Sequence, residues 1–508
     1  MSGWSAVSWR LGRAAGWAAC ACLLALAPAR AVSGQTILED AWYALYLNGG
    51  KAGHLHEEVT ERSQDGRTLY DTQTHEEFAF GRAGVSLRHI GDNLITEDAD
   101  GRLVAFHQQV QGAVSLSLEG KVEGDELVIT SSTARSTLTK RLPAPEGLCP
   151  WALRRLGARM GLKPGTQYEA KAFVPEAPDR AVRISTRVVG REAVQVFEVT
   201  KRLFRRDSTL DIAPGLQSSE WADAAGTVWL IRVQMPGGLT LESRRATREL
   251  ALAPDGPGDI LAAAAVPTDK PIRSPRRLDR LQILLEPSGG AGTALPDIPS
   301  DAWQRVERVP EGLRITVRRA SGDPRKSYAL PYAGKEYAAL LRPNVWMEAD
   351  DPAVANMSRE AVSGATDALT AARRIEDYVE SVIKRKDLSL GFATAAEAAA
   401  QKAGDCTEHA VLVAALARAA GVPSRVVGGL AYSEALPGTG AGGFGYHMWA
   451  EAYVGEWLPL DAALGSHDAT HIAVVRSDLN EPGDLLAISS AISQLFGRLK
   501  VRVLEAGP

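Results

Sequence analysis

Cys406, His447 and Asp461 have the types, order and spacing of a thiol nucleophile, its base and the group that orients the base. Cys406 lies in GDCTEHAVLVAALARAAGVPSRVV, His447 in YHMWAEAYV, and Asp461 ends WLPLD. Such a set attacks an amide or related acyl carbon through sulfur, forms a thioester, and passes the acyl group to water or to an amine. The sequence alone does not fix the acceptor.

A cysteine does this chemistry only where its thiolate is stabilised, and here the local sequence arranges that. Asp405 is an N-cap and Glu408, three residues on, approximates a capping box. Val411, Leu412, Ala415, Leu416 and Ala419 recur at helical spacing, Gly421 marks the stop, and Pro423 forbids continuation. Cys406 therefore falls in the first helical turn, where unpaired N–H groups and the helix dipole favour an anion. YHMWAEAYV alternates as a strand, placing His447, Trp449, Glu451 and Tyr453 on one side. Gly455 and Glu456 make a tight connection to the returning strand WLPLD, so a hairpin brings Asp461 beside His447.

GDCTEHA followed by HMWAEAYVGEWLPLD resembles the transglutaminase-like superfamily, whose core is related to papain-type cysteine proteases. The resemblance puts Cys406 on the family nucleophile, His447 on its base and Asp461 on its orienting acid. Trp449, Glu451, Tyr453, Trp457 and Pro459 repeat the hairpin's spacing, and AAGVPSRVVGG resembles the strand that follows the cysteine helix. The strong part covers about residues 345–475. Family members often supply a side chain to the oxyanion hole from upstream of the cysteine; DLSLGFATAAEA offers no clear donor, which leaves the backbone N–H of Cys406.

Around this core the chain divides by composition. Residues 1–31 carry Arg10 and Arg13, an apolar run and Ala29-Arg30-Ala31, the pattern of a secretory signal peptide, so the protein is expected in the periplasm or outside the cell. An uncleaved anchor would need a longer apolar run, and Trp17 before Cys20 does not suit a lipoprotein site. Removing Arg10, Arg13 and Arg30 takes the net charge from −4 to −7, and a mildly acidic chain without a basic run argues against nucleic acid as a partner. Only Cys149 and Cys406 then remain, too few for a disulfide scaffold, and Cys149 in GLCPWALRR reads as a packed thiol.

The expected class is α+β, with an N-terminal antiparallel β-rich domain ahead of a transglutaminase-like (papain-like) catalytic domain. Residues 36–250 are β-rich, a twisted barrel or sandwich interrupted by one short helix from about Pro150 to Met160. Residues 251–277 have linker composition, 278–340 form a β-rich connecting segment containing DRLQILLE and GLRITVRRA, and 341–508 hold the catalytic domain. Helices are expected over 367–385, Thr394 to Lys402, and about Gly483 to Leu499; HIAVVRSDL and LKVRVLEA read as strands.

Other candidates take plainer readings. His409, three residues from Cys406 on one helix, would lie alongside the sulfur and is structural. His467 and His471, with Asp468 in SHDATH, read as a solvated loop, and His54 with His56 share a strand face with too few ligands for a metal. LPGTGAGGFG, at 436–445, lacks a following Lys-Ser/Thr and suits a rim beside the active site. No cofactor is implied. Substrates are expected to be peptides, proteins or cell-wall peptides, with hydrolysis preferred over amine transfer. The reading from another class is a non-catalytic peptide- or envelope-binding module that keeps the fold.

Overall fold

The structure, a computed structural model, describes residues 35–507 apart from 83–84, 112–115, 134–135, 213–215, 235–238, 255–264, 288–296, 386–392, 435, 437–441, 482–483, 494 and 496–498. The signal-peptide segment, DLSLGF and half of the Gly-rich rim, 437–441, lie outside the described residues. Two compact units result: Met1–Ile260 with Leu485–Ser490, and Leu261–Asp484 with Ala491–Pro508.

The first unit is one antiparallel sheet of fourteen strands. Its first meander runs through β1 (Gln35–Leu47), β2 (Gly50–Gln64), β3 (Arg67–Arg82), β4 (Val85–Asp98), β5 (Leu103–Gln111), β6 (Leu116–Glu123), β7 (Glu126–Ser132) and β8 (Thr137–Pro143). Helix α1 (Pro150–Met160) leads to a second meander of β9 (Gln167–Ala172), β10 (Val182–Val196), β11 (Val199–Leu210), β12 (Gln217–Ala222), β13 (Val228–Gln234) and β14 (Thr240–Ala246). The meanders join where β14 pairs with β1, and Leu148, beyond β8, bridges Ala172 at the end of β9. A single core gathers residues of both, Leu55, Phe78, Ile95 and Phe106 with Ile184, Leu210 and Ile231.

Alternation sets the faces of these strands. On β2, Leu55, Glu57 and Val59 turn inward, while His54, His56 and Glu58 turn outward. Glu57 is tolerated inside because Arg154 of α1 pairs with it, both side chains buried. Cys149 stands at the N-cap position of α1, fully buried, and burial first, then Glu97 and Asp98, pushes its thiol well up.

A short helix, α2 (Arg248–Ala251), precedes the second unit. There the stretch with linker composition contributes a strand: β15 (Val266–Pro267) pairs with Phe444 and Gly443, and the Ile272 N–H donates to the Tyr432 hydroxyl. A four-stranded sheet combines β16 (Arg280–Pro287), β17 (Gln304–Val309) and β18 (Gly312–Arg318) with the last strand, β23 (Leu499–Gly507). The other sheet is ordered β15, β20 (Gly443–Tyr453), β19 (Ser424–Ser433), β22 (His471–Ser477), with β21 (Trp457–Leu460) on the same strand β20. Helix α6 (Cys406–Ala419) packs against this sheet through β19 and β20 and α4 (Ala368–Val382) touches β21, while α3 (Pro352–Ala361) and α5 (Ala395–Gln401) pack on α6; α7 (Asp484–Ser493) falls near the C-terminus. Helix α6 touches α3, α4, α5, β19 and β20, and Thr407 through Arg418 are all buried, which is why its apolar residues extend beyond one stripe. Among the described residues no helix is long and apolar enough to cross a membrane.

Candidate active site

The start of α6 is built by two carboxylates. The Asp405 side chain accepts from the Thr407 N–H at 2.8 Å and from the Thr407 hydroxyl at 2.7 Å. Glu408 folds back, its Oε2 accepting the Asp405 N–H at 2.8 Å and its Oε1 the Ala393 N–H at 2.7 Å, which completes the capping box. Gly404 makes room for this, since a Cβ there would meet the Glu408 side chain at 2.4 Å. Burial, then the neighbouring Asp405 carboxylate, pushes the Glu408 carboxyl up to about 8. At neutral pH a second negative charge is therefore suppressed beside Cys406, which opens the helix half-buried. His409 donates Nδ1–H to the Asp405 carbonyl at 2.6 Å, as suits a helix lock.

His447 sits in β20, the strand against which α6 packs, opposite Gly429 of β19. Gly429 has no Cβ because one would strike the Ile472 carbonyl and the indole of Trp449, whose ring stacks on His447 at 6.0 Å. The hairpin β20–β21 returns Asp461 to it, and His447 Nε2 donates to Asp461 Oδ2 at 2.8 Å. With Nε2 so engaged, Nδ1 is the nitrogen through which His447 can exchange a proton with a thiol. The main-chain N–H of Asp461 donates to Glu376 Oε1 at 2.7 Å, and Asp461 Oδ1 accepts the N–H groups of Ala463 at 2.9 Å and Leu464 at 3.4 Å. Glu376, on α4, is raised by burial and held by Arg373 at 2.8 Å.

His471 is the member that the sequence reading missed. Far from lying in a solvated loop, His467 and His471 are buried, and His471 Nε2 donates to the same Asp461 Oδ2 at 2.8 Å. Burial works against its positive charge, but the carboxylates of Asp461 and Asp468 prevail and raise His471 to about 9. Asp468 is fixed in turn by Arg276 at 2.6 Å and by the Thr470 N–H at 2.7 Å. Although burial alone would push the Asp461 carboxyl up, the imidazoles of His447 and His471 hold it well below the usual carboxylate range. His467, 4.6 Å ring to ring from His471, is held neutral by burial and by that neighbouring charge. Glu451, the other acid on the His447 face, is committed to Arg425 at 2.6 Å and Arg476 at 3.1 Å, a clamp across three strands.

A family model for the transglutaminase-like superfamily matches residues 355–462, a span that contains Cys406, His447 and Asp461. These residues form a transglutaminase-like domain. At the level of the superfamily, that match supports a thiol enzyme. Among solved structures, the chain is similar to a "Putative Cysteine Protease" from Cytophaga hutchinsonii, at 14% identity over 44% of this chain and 89% of that one, with a TM-score of 0.29. It is also similar to a β-barrel-like protein of a domain of unknown function from Brucella abortus, at 16% identity over 41% and 95%, with a TM-score of 0.29. A third, a "Putative Protease" from Parabacteroides distasonis, is 13% identical over 57% and 68%, with a TM-score of 0.17. No curated protein matches the chain.

The match to the transglutaminase-like domain ends one residue past Asp461, so His471 lies beyond it. His447, Asp461 and His471 have donor atoms within 4.8 Å of one another, as do His54, His75 and Glu77 in the first unit. Around Asp461 the Nε2 atoms of both imidazoles are spent on the two hydrogen bonds to Oδ2. In the first unit β3 corrects the count made from His54 and His56 alone: the register sets Glu77 opposite His54 and His75 opposite His56.

Proposed function

We propose that the protein is an exported thiol enzyme in which Cys406 forms an acyl-enzyme from a peptide or amide. Nδ1 of His447 takes the proton from the Cys406 thiol, and Sγ attacks the acyl carbon. The C–N bond then breaks as His447 returns that proton to the leaving amine. Asp461 keeps His447 in the tautomer with Nε2–H and offsets its charge when the ring is doubly protonated. The N–H of Cys406, at the first position of α6, is the oxyanion donor of this reading. In the second half-reaction water, deprotonated by His447, displaces sulfur.

The observation that carries the proposal is the His447–Asp461 hydrogen bond on the strand that packs against the cysteine helix. Hydrolysis is preferred to amine transfer because Cys406 is only half-buried, so that water reaches the thioester. Export rests on the N-terminal sequence, and envelope peptides are the substrate class that this compartment suggests.

The test is to incubate the protein with an envelope extract, identify the acyl group trapped on Cys406 by mass spectrometry, and then offer water with and without a primary amine. A Cys406 adduct released by water is expected. Dominant capture by millimolar amine would make the enzyme a transferase, and no adduct from any extract would favour a binding module.

A further inference from the structure

On the sheet of the first unit, β2 and β3 turn His54, His75 and Glu77 to the same face, away from the core, each half-buried. Their ligand atoms lie within 4.8 Å of one another, and the rings of His54 and His75 are 5.9 Å apart between centroids. We infer that this face binds a divalent transition-metal ion of the zinc class through His54, His75 and Glu77, with a fourth position open to solvent.

Cross-strand register gives the cluster its shape. Glu77 stands directly opposite His54, and His75, two residues before it on β3, is the diagonal neighbour. Two imidazoles and one carboxylate are the donor set of three-ligand zinc sites, and the nitrogen donors select against calcium and magnesium, which take oxygen.

The surrounding groups distinguish a built site from a chance meeting of side chains. His75 donates Nδ1–H to Asp92 Oδ1 on β4 at 2.7 Å, which fixes the ring and leaves Nε2 with its lone pair. A carboxylate behind a ligating imidazole is the usual outer partner of a metal-bound histidine. His56 is not a ligand, because its Nε2 is bonded to Asp40 at 2.8 Å and its ring is stacked on Trp42 at 4.3 Å. Glu77 pairs with Arg88 through Oε1, so Oε2 is the oxygen that turns to the metal. An ion here would tie β2 to β3 and hold an exchangeable water, and it would do so in a unit separate from the transglutaminase-like domain.

The experiment is isothermal titration of the EDTA-stripped full chain with zinc chloride, alongside zinc X-ray absorption. The unmodified protein is expected to take up one equivalent that His54→Ala and Glu77→Gln lose by at least about 100-fold in affinity. Asp92→Asn is expected to weaken it by roughly 10–100-fold, as loss of an outer partner does. His56→Ala should retain it, and the absorption spectrum should show nitrogen and oxygen neighbours without sulfur. Glu77→Gln keeps the shape of the side chain, so its result stands even if a histidine variant fails to fold. Absence of uptake by the unmodified protein, uptake unchanged in His54→Ala and Glu77→Gln, loss in His56→Ala, or sulfur ligation would each overturn the assignment.

Discussion

His447 and His471 share one oxygen, Oδ2 of Asp461, each at 2.8 Å. The carboxylate therefore serves two imidazoles at once, and only His447 lies on the strand beside the cysteine helix. His471, charged between Asp461 and Asp468, balances the buried carboxylates and holds Asp461 in place for its other partner.

That arrangement predicts a pH-dependent stability difference. A histidine raised to about 9 in the folded state contributes stability fully present below its unfolded value of roughly 6.5, and this is lost as pH rises through 9. His471→Gln keeps a donor toward Asp461 but no charge. Removing one partner of a buried ion pair costs about 3–5 kcal/mol. For a unit of this size that is roughly 10 °C in Tm. Thermal unfolding from pH 6 to 10 should show that deficit at pH 6 and a gap that closes as pH rises from about 6.5 through 9; a gap constant across the range would show that the charge is not the contribution.

Asp461 serves both catalysis and stability, and two variants weight these roles differently. Asp461→Asn can still accept the Ala463 and Leu464 N–H groups but offers His447 the wrong tautomer, and kcat should fall on the order of 10⁴-fold with the fold retained. Both variants should lose stability because two buried imidazoles lose their carboxylate, and Asp461→Ala should lose more because the turn loses its acceptor too. Circular dichroism and steady-state kinetics on both variants check this. Full activity in Asp461→Asn would move the orienting role elsewhere, although Glu451 is already held by Arg425 and Arg476.

What could be read from sequence and what could not follows from the range of the interactions. The cap of the cysteine helix is written within four residues, and Asp461 reaches His447 across one tight hairpin, so both were legible. His471 was not, because its burial depends on β22 pairing with β19 some forty residues earlier, and on Arg276 reaching Asp468 from the stretch with linker composition. The same limit hid the histidine face of the first unit. His54 and His75 meet only through the register of β2 and β3, and a one-residue slip would turn one of them into the core.

The two cysteines of the described residues should differ sharply toward alkylation. Cys149 is buried with its thiol pushed well up, whereas Cys406 is half-buried at a helix start. Iodoacetamide on the folded protein should label Cys406 alone, at a rate that titrates below the reference value of about 8.5, and label Cys149 only after denaturation. Equal, slow labelling of both would remove the nucleophile assignment.

Glu408 sets the last expectation, because its position ties the helix cap to the charge beside the thiol. An acid raised to about 8 in the folded state holds its proton through a range where the unfolded chain has already lost it. Its contribution to stability is therefore full below about 4.3 and falls away as pH rises through 8. Glu408→Gln cannot ionise and keeps an oxygen for the Ala393 N–H, though its amide offers nothing to the Asp405 N–H. The variant should be less stable than the unmodified protein at pH 5, and its Tm should decline less between pH 5 and pH 9. Ionisation of Glu408 would also place a second negative charge beside the Cys406 thiolate, so the alkylation profile of the unmodified protein should lie at higher pH than that of the variant. Parallel Tm curves for the two proteins would mean that Glu408 is already ionised at neutral pH and that the cap carries both charges.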